Sequence, residues 1–470
     1  PFTLEASARV KARALSGSTW SALNEAVFAV GPVAENLRIS EIMYHPNNPN
    51  EEYIELTNIG SQTINLNLVQ FTNGIDFTFG DYDLAPGQYV LVVEDVNAFQ
   101  AGYGQGLPIA GQYLGKLANG GEKIEVIDAT GKLIHDFGYR DGWRRPTDAE
   151  GFSLTIIDPA NPDPNAWDEK DGWRASVYTA GSPGADDSGI LPLPGAIVVN
   201  EVLAHSHDEA SDWIELYNTS GAAINIGGWL LSDSRSTPDK YQIAPGTIVK
   251  SGAYVVFSEQ VNFGAPSVDP GKREPFALSE NGETVYLTSA IGGVITGYRA
   301  TEDLGASETG ISLGRYYKAD TDNYNFVPLS FPTPAQPNAY PKVGPIVVSE
   351  IMYNPDWPLA SPYSNEQYEY VELANITAVP VTLYRLDKGQ PWRFTDGIDF
   401  TFPEAPDQVT IPAGGRIVIA KNRTALLWRY PTLRSNVVFG PFGGSLDDAG
   451  EKIELGSPGD IDNLGVRQYI

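Results

Sequence analysis

The chain is predicted to be an all-β protein, a string of β-sandwich domains, on three observations. Alternation of apolar and polar residues with period two dominates, and no long amphipathic helix is evident. Short runs rich in Tyr, Phe, Thr and Val are punctuated by 48 Gly and 35 Pro, the mixture expected of many short strands joined by turns. One ordered set of motifs occurs three times along 470 residues, a length too great for a single hydrophobic core.

The elements follow in order. Val10–Ala14 and Ala26–Val30, around the turn Gly17-Ser18-Thr19-Trp20, read as the last two strands of an incomplete sandwich at residues 1–34, opening in mid-strand at Pro1-Phe2-Thr3-Leu4. The first repeat, 36–188, begins with Ser40-Glu41-Ile42-Met43-Tyr44-His45-Pro46 and continues with Tyr53-Ile54-Glu55-Leu56-Thr57-Asn58. The second, 196–340, has the looser Asn200-Glu201-Val202-Leu203-Ala204-His205, then Trp213-Ile214-Glu215-Leu216-Tyr217-Asn218. The third, 345–470, restores the motif as Ser349-Glu350-Ile351-Met352-Tyr353-Asn354-Pro355, followed by Tyr370-Val371-Glu372-Leu373-Ala374-Asn375.

Downstream, Phe71–Phe79 and Phe394–Phe402 share the pattern F-T-x-G-I-D-F-T-F, which the second repeat lacks. Ala85-Pro86-Gly87, Ala244-Pro245-Gly246 and Pro412-Ala413-Gly414 turn the chain towards apolar strands. Later hairpins open at Gly121-Glu122, Gly282-Glu283 and Gly450-Glu451, where a tight turn calls for positive φ. Short helices are expected at Val96–Ala101 and Arg423–Trp428. The Pro-rich joints Leu191–Gly195 and Pro334–Pro341 read as semi-rigid spacers.

As a set, these motifs resemble the lamin tail domain. The shared order is a strand with N/S-E-I/V, then Y/W-I/V-E-L-x-N, an A-P-G turn and G-E-x-I/V. The closing segments agree, from Gly151-Phe152-Ser153-Leu154 through Trp173 to Gly181-Ser182-Pro183-Gly184, and from Ser312-Leu313-Gly314-Arg315 through Phe326 to Pro332-Thr333-Pro334. The third copy stops at Ile470, before such a segment. The resemblance implies an immunoglobulin-like β-sandwich with an interaction role and no catalytic residues to carry over; bacterial members occur in large secreted and cell-surface proteins. Residues 1–34 are similar to the end of a fibronectin-like domain of the bacterial chitobiase C-terminal type.

Net charge is −28, with a pI near 4.4. Such a surface repels nucleic acid and anionic lipid, and suits cations and an extracellular or cell-surface setting. The absence of cysteine excludes disulfides, thiolate catalysis and Cys-ligated zinc. No apolar run is long enough for a membrane span.

Candidate chemistry rests on four groups. The pairs Glu41/Glu55, Glu201/Glu215 and Glu350/Glu372 fall at equivalent places on adjacent strands, where two carboxylates could hold a cation, share a proton or fix a turn. His205-Ser206-His207-Asp208-Glu209 with Asp212 sets two imidazoles on one side of an extended chain. Asp163, Asp168 and Asp171 in one acidic loop, and Asp320 with Asp322 in another, are the candidate Ca²⁺ ligands, since Ca²⁺ takes six to eight oxygens from such loops. Trp143, Trp167, Trp173 and Trp392 could stack on sugar rings, although tryptophan in a sandwich is more often core, and Trp167 and Trp173 fall inside the closing-strand pattern.

The function expected is that of a noncatalytic extracellular structural or adhesive protein, a spacer or the protomer of a surface layer or fibre. The alternative is a carbohydrate-binding or tethering region of a larger secreted hydrolase. Expected partners are other extracellular proteins or copies of itself, with carbohydrate a further candidate and nucleic acid excluded. In one form of self-association, the N-terminal strands would complete the open edge of the third repeat of a neighbouring molecule.

Overall fold

A computed structural model describes residues 3–207, 210–356 and 361–470; Pro1 and Phe2, and Asp208 and Glu209 of the histidine cluster, lie outside them. The chain is all-β; among the described residues each repeat has one main hydrophobic core, and smaller clusters pack the short helices onto the sheets of the first and third. In the first repeat one sheet runs in the order Ile109–Gln112, Tyr89–Val93, Tyr53–Asn58, Leu37–Met43, Leu154–Ile156, Trp173–Ala175. A second sheet holds Leu133–Gly138, Lys123–Ile127, Gln70–Asn73 and Phe77–Thr78. The two enclose Ile39, Leu56, Phe71, Val90, Val126 and Trp173.

The second repeat repeats the plan. Tyr254–Ser258, Trp213–Asn218, Ile197–Leu203, Leu313–Lys318 and Asn323–Pro328 form one sheet, and Tyr241–Gln242, Leu230–Ser232, Glu283–Ile291 and Val294–Leu304 the other. In the third repeat the main sheet is Ile346–Met352, Tyr370–Asn375, Arg416–Ala420 and Val438–Phe439, so its leading strand is an edge.

Pairing in these sheets is antiparallel except at two places. Tyr89–Val93 runs parallel to Ile109–Gln112, and Arg416–Ala420 parallel to Val438–Phe439. Parallel neighbours need a crossover. Both crossovers contain the expected short helices, Val96–Tyr103 and Arg423–Arg429. Asp95 caps the first by accepting from the N–H groups of Asn97 and Ala98 at 2.8 and 2.9 Å, and Asn422 does the same for Thr424 and Ala425.

The leading strand of every repeat is bulged at the residue before its glutamate, with register shifts between Ile39 and Glu41, Val199 and Glu201, and Val348 and Glu350. The bulge sets the two motif glutamates directly opposite each other: Glu41 faces Glu55, Glu201 faces Glu215, and Glu350 faces Glu372. The motif asparagine at the end of the second strand is a corner post. Asn58 Nδ2 donates to the carbonyls of Gln62 and Leu84, both at 2.8 Å, and Asn218 and Asn375 repeat this with Ala222 and Val249, and with Val379 and Ile411.

Near the N-terminus, Ala8–Ala12 pairs antiparallel with Asn24–Phe28, and Asn67 Nδ2 donates to the Ser7 carbonyl at 2.6 Å. The joint at 334–341 differs from the spacer expected. Ala335 and Asn338 are hydrogen-bonded into the second repeat and Pro341 bridges to Leu329, because its backbone polar groups find partners there.

Candidate functional site: the paired glutamates and the cleft between repeats

In the first two repeats the glutamate pair is a clasp for the segment that closes the sandwich. Ser40 Oγ, on the bulge, donates to Glu55 at 2.7 Å, and Asn200 Nδ2 does so to Glu215 at 2.8 Å. On the other side of the pair, Ser153 Oγ donates to Glu41, and Ser312 Oγ to Glu201 at 2.6 Å. The chain then returns. Ser182 donates its N–H at 2.8 Å and its hydroxyl at 3.1 Å to Glu41, while Gly184 N–H donates to Glu55 at 2.5 Å. Thr333 makes the same pair of bonds to Glu201 at 2.8 and 2.7 Å, and Ala335 N–H reaches Glu215 at 2.5 Å.

Pro183 and Pro334 sit between those donors, where a proline has no N–H to satisfy and fixes the backbone so that both flanking N–H groups meet a carboxylate. Four carboxylates thus read one short pattern, Ser/Thr-Pro-Gly/Ala. Glu41, Glu55, Glu201 and Glu215 are all fully buried. Burial pushes Glu41 and Glu55 up from the ordinary carboxylate range, Glu55 further through the charge of Glu41 beside it; burial likewise pushes Glu215 up to about 7. The donors that meet these carboxyls come from the chain itself, so the pair acts here as a fastening.

A further acid stands just ahead of the second strand of each repeat; the sequence reading missed Glu52 and Glu369 and took Asp212 only as part of the histidine cluster. Glu52 accepts from Leu117 N–H at 2.8 Å and Tyr113 hydroxyl at 3.1 Å, Glu369 from Leu446 N–H at 3.0 Å, and Asp212 from Ser206 N–H at 3.0 Å. The signal was present: an acid precedes Tyr53, Trp213 and Tyr370 in all three copies.

The other candidates are placed as follows. Asp163 caps a short turn by accepting from Asn165 N–H at 3.0 Å, Asp168 accepts from Gly138 N–H at 2.8 Å, and Asp171 pairs with Arg144 at 3.2 Å. Asp320 and Asp322 lie exposed at the tip of the hairpin joining Leu313–Lys318 to Asn323–Pro328, where Tyr317 hydroxyl donates to Asp322 at 2.6 Å. Among the described residues no group of three or more His, Asp or Glu side chains is placed to hold a metal ion. His205 has both ring nitrogens engaged: Nδ1 at 2.9 Å from the Ser307 carbonyl, which can only accept, and Nε2 at 2.9 Å from Thr309 Oγ1.

Two of the four tryptophans singled out are core. Trp167 and Trp173 are buried, with indole N–H groups donated to the carbonyls of Ile39 and Trp167 at 2.9 Å. They are unavailable for stacking because both side chains are enclosed in the first core, Trp173 from the last strand of the sheet itself. Trp392 packs against the third core. Trp143 is half-buried and lines a cleft of about 230 Å³ between the first two repeats, with Arg144, Arg174, Leu191, Pro192 and Tyr298.

Those two repeats are in direct contact. Gly297 N–H donates to the Val177 carbonyl at 3.0 Å, an approach so close that a Cβ at 297 would lie 2.0 Å from the Ser176 carbonyl oxygen. Glu150 pairs with Arg299 and Arg235, each at 3.3 Å, and the Arg299 guanidinium lies 5.6 Å from the centre of the Phe152 ring.

Sandwiches with a bulged leading strand, opposed glutamates and an asparagine corner, in tandem, decide the comparison with known families. Residues 32–141 and 192–302 match the Lamin Tail Domain. The first two repeats are therefore similar to the lamin tail domain, whose immunoglobulin-like β-sandwich agrees with the sheets seen here. Both matched stretches stop before the closing strands at Leu154 and Leu313, so the clasped segments lie beyond them. The third repeat lies outside both matched stretches and shares motifs and strand register with the first two. No curated protein and no solved structure matches the chain. No helix among the described residues is long and apolar enough to cross a membrane.

Proposed function

We propose that this chain is a noncatalytic extracellular structural or adhesive protein, in which tandem lamin-tail-type sandwiches act as a stiff spacer or as protomers of a surface layer or fibre. The observation that carries the reading is the use made of the acidic pairs. In the first two repeats the carboxylates best suited to chemistry fasten the sandwich shut, and these two sandwiches are docked through Glu150, Arg299 and the Gly297–Val177 bond. A net charge of −28 supports an exposed, soluble surface that avoids nucleic acid.

Electron microscopy of the native protein with and without a chelator tests this. Rods or assemblies of uniform spacing support it, and disassembly on chelation would add Ca²⁺ as a stiffener. Turnover of a substrate, or particles bending freely between the first two repeats, would overturn it. The cleft beside Trp143 favours a second reading, carbohydrate binding within a larger secreted hydrolase, and a glycan array read against Trp143→Ala separates the two.

A further inference from the structure

The cleft between the first two repeats reverses the charge of the chain around it. The chain holds 59 Asp and Glu against 31 Lys and Arg. Yet Arg144, Arg145, Lys170, Arg174 and Arg299 line this cleft of about 230 Å³, and among the described residues none of its lining is Asp or Glu. A second cavity, of about 670 Å³, shares Arg145, Arg299 and Thr301 with it and adds Arg235 and Glu150. Together they form one groove along the junction of the repeats, and junctions between domains are where ligand clefts commonly lie.

Folding fixes three of the five cations of the cleft in place. Arg144 Nε donates to the Trp173 carbonyl at 2.8 Å, and its guanidinium reaches the Lys170 carbonyl at 3.0 Å. Arg174 pairs with buried Asp187, and Arg299 donates to the Tyr298 carbonyl at 2.9 Å while pairing with Glu150. The other two, Arg145 and Lys170, are exposed and make no ion pair among the described residues. Six cations of the groove, Arg235 included, thus meet three carboxylates, Glu150, Asp171 and Asp187, which leaves a surplus of three positive charges. Asp171 is itself 96% exposed, where water screens it. Half-buried Trp143 lines the cation-rich cavity, and Thr179, Ser234, Ser236 and Tyr286 bring hydroxyls to its neighbour.

We propose that this groove binds an acidic oligosaccharide, a sugar chain bearing carboxylate or sulfate groups. Guanidinium groups already held by backbone carbonyls take such an anion with little further loss of side-chain freedom. The indole of Trp143 offers a flat apolar face to a sugar ring, and the hydroxyls at the far end match those of the sugar. A net charge of −28 repels a polyanion from the rest of the surface and leaves this groove to attract it. The inference rests on carbohydrate as the ligand of the cleft, and it holds whether or not the paired repeats serve as a spacer.

Calorimetric titration of the full chain uses two probes, tetragalacturonate for carboxylate and a heparin tetrasaccharide for sulfate, and so tells the two anions apart. Saturable binding of either in the micromolar range is expected at low salt, weaker as salt rises. Arg145→Ser with Lys170→Ser should weaken it at least tenfold, whereas Lys250→Ser with Arg434→Ser, exposed cations outside the groove, should leave it unchanged. Hydrogen exchange on the unmutated protein guards against a misfolded variant: the bound probe should slow exchange at residues 142–146 and 297–301. Equal binding of the methyl ester of tetragalacturonate would overturn the acidic ligand and leave a neutral sugar in the cleft. Equal binding of hexaglutamate would overturn the sugar, since charge alone would then suffice. No saturable binding of either acidic probe would overturn the proposal, and a blank glycan array besides would remove carbohydrate from the cleft altogether.

Discussion

Glu41→Ala and Glu350→Ala are the same substitution in the same motif, and they are expected to have very different consequences. Glu41 is buried and accepts from Ser153 Oγ and from the N–H and hydroxyl of Ser182. Removing it strands Ser153, which is fully buried, at about 2 kcal/mol, while each donor of half-buried Ser182 can recruit water and costs about 1 kcal/mol. Relief of the opposition between Glu41 and Glu55 returns roughly 1 kcal/mol, leaving a net loss of about 3 kcal/mol. That corresponds to a roughly 150-fold rise in local opening. Glu350 is exposed and holds one hydroxyl, so its loss is expected to stay within about 0.5 kcal/mol. Hydrogen exchange of the full chain, resolved to residues 37–43, 151–157 and 346–352, reads both changes in one molecule without assuming that a three-core chain unfolds in one step. If Glu41→Ala accelerates exchange in its own strand less than threefold, or no more than Glu350→Ala does in its strand, the closing segment is not held by the glutamates and the reasoning fails.

Three further outcomes follow from the same geometry. Burial pushes Glu52, Glu215, Glu283 and Glu302 each up to about 7, so the folded chain holds protons that the unfolded chain has released above about pH 4.3; this stability is lost as pH rises through about 7, and Tm should be higher at pH 5.5 than at pH 8, an order whose reversal would refute the assignment. His135 is buried with its pKa lowered to about 3, chiefly by burial, and its Nε2 accepts from Ile39 N–H at 3.0 Å, so its contribution is lost as pH falls from about 6.5 towards 3; His135→Gln, which keeps an acceptor, should reduce the acid sensitivity of exchange at residues 37–43, and an unchanged pH profile would count against it. Gly297→Ala places a Cβ against the Ser176 carbonyl, and Arg299→Ala removes the pairing with Glu150 and the packing on Phe152, about 1 kcal/mol of contact; either should increase the radius of gyration measured by small-angle X-ray scattering, and no change would mean that the two repeats are held by other contacts.

Local sequence determined much of this protein. Period-two alternation, turn glycines and repeated motifs suffice for strands, sandwiches and three successive units, since these depend on neighbours within a few residues. The two short helices were legible for the same reason, although the parallel pairing that demands them was not. Tertiary structure decided the rest. The role of Glu41 depends on Ser182, and that of Glu201 on Thr333, residues 141 and 132 positions away, so nothing near either glutamate could announce a clasp. Trp167 reads as core from its place in the closing-strand pattern, but the partner that holds it, the carbonyl of Ile39, lies 128 positions back and only the fold supplies it. Most telling is the shared run S-E-I-M-Y, buried at Ile42 and bare at Ile351. Alternation specifies which face of a strand is apolar; whether that face and edge are covered depends on a strand that pairs from far along the chain, and the energy of that covering is not written in the strand itself.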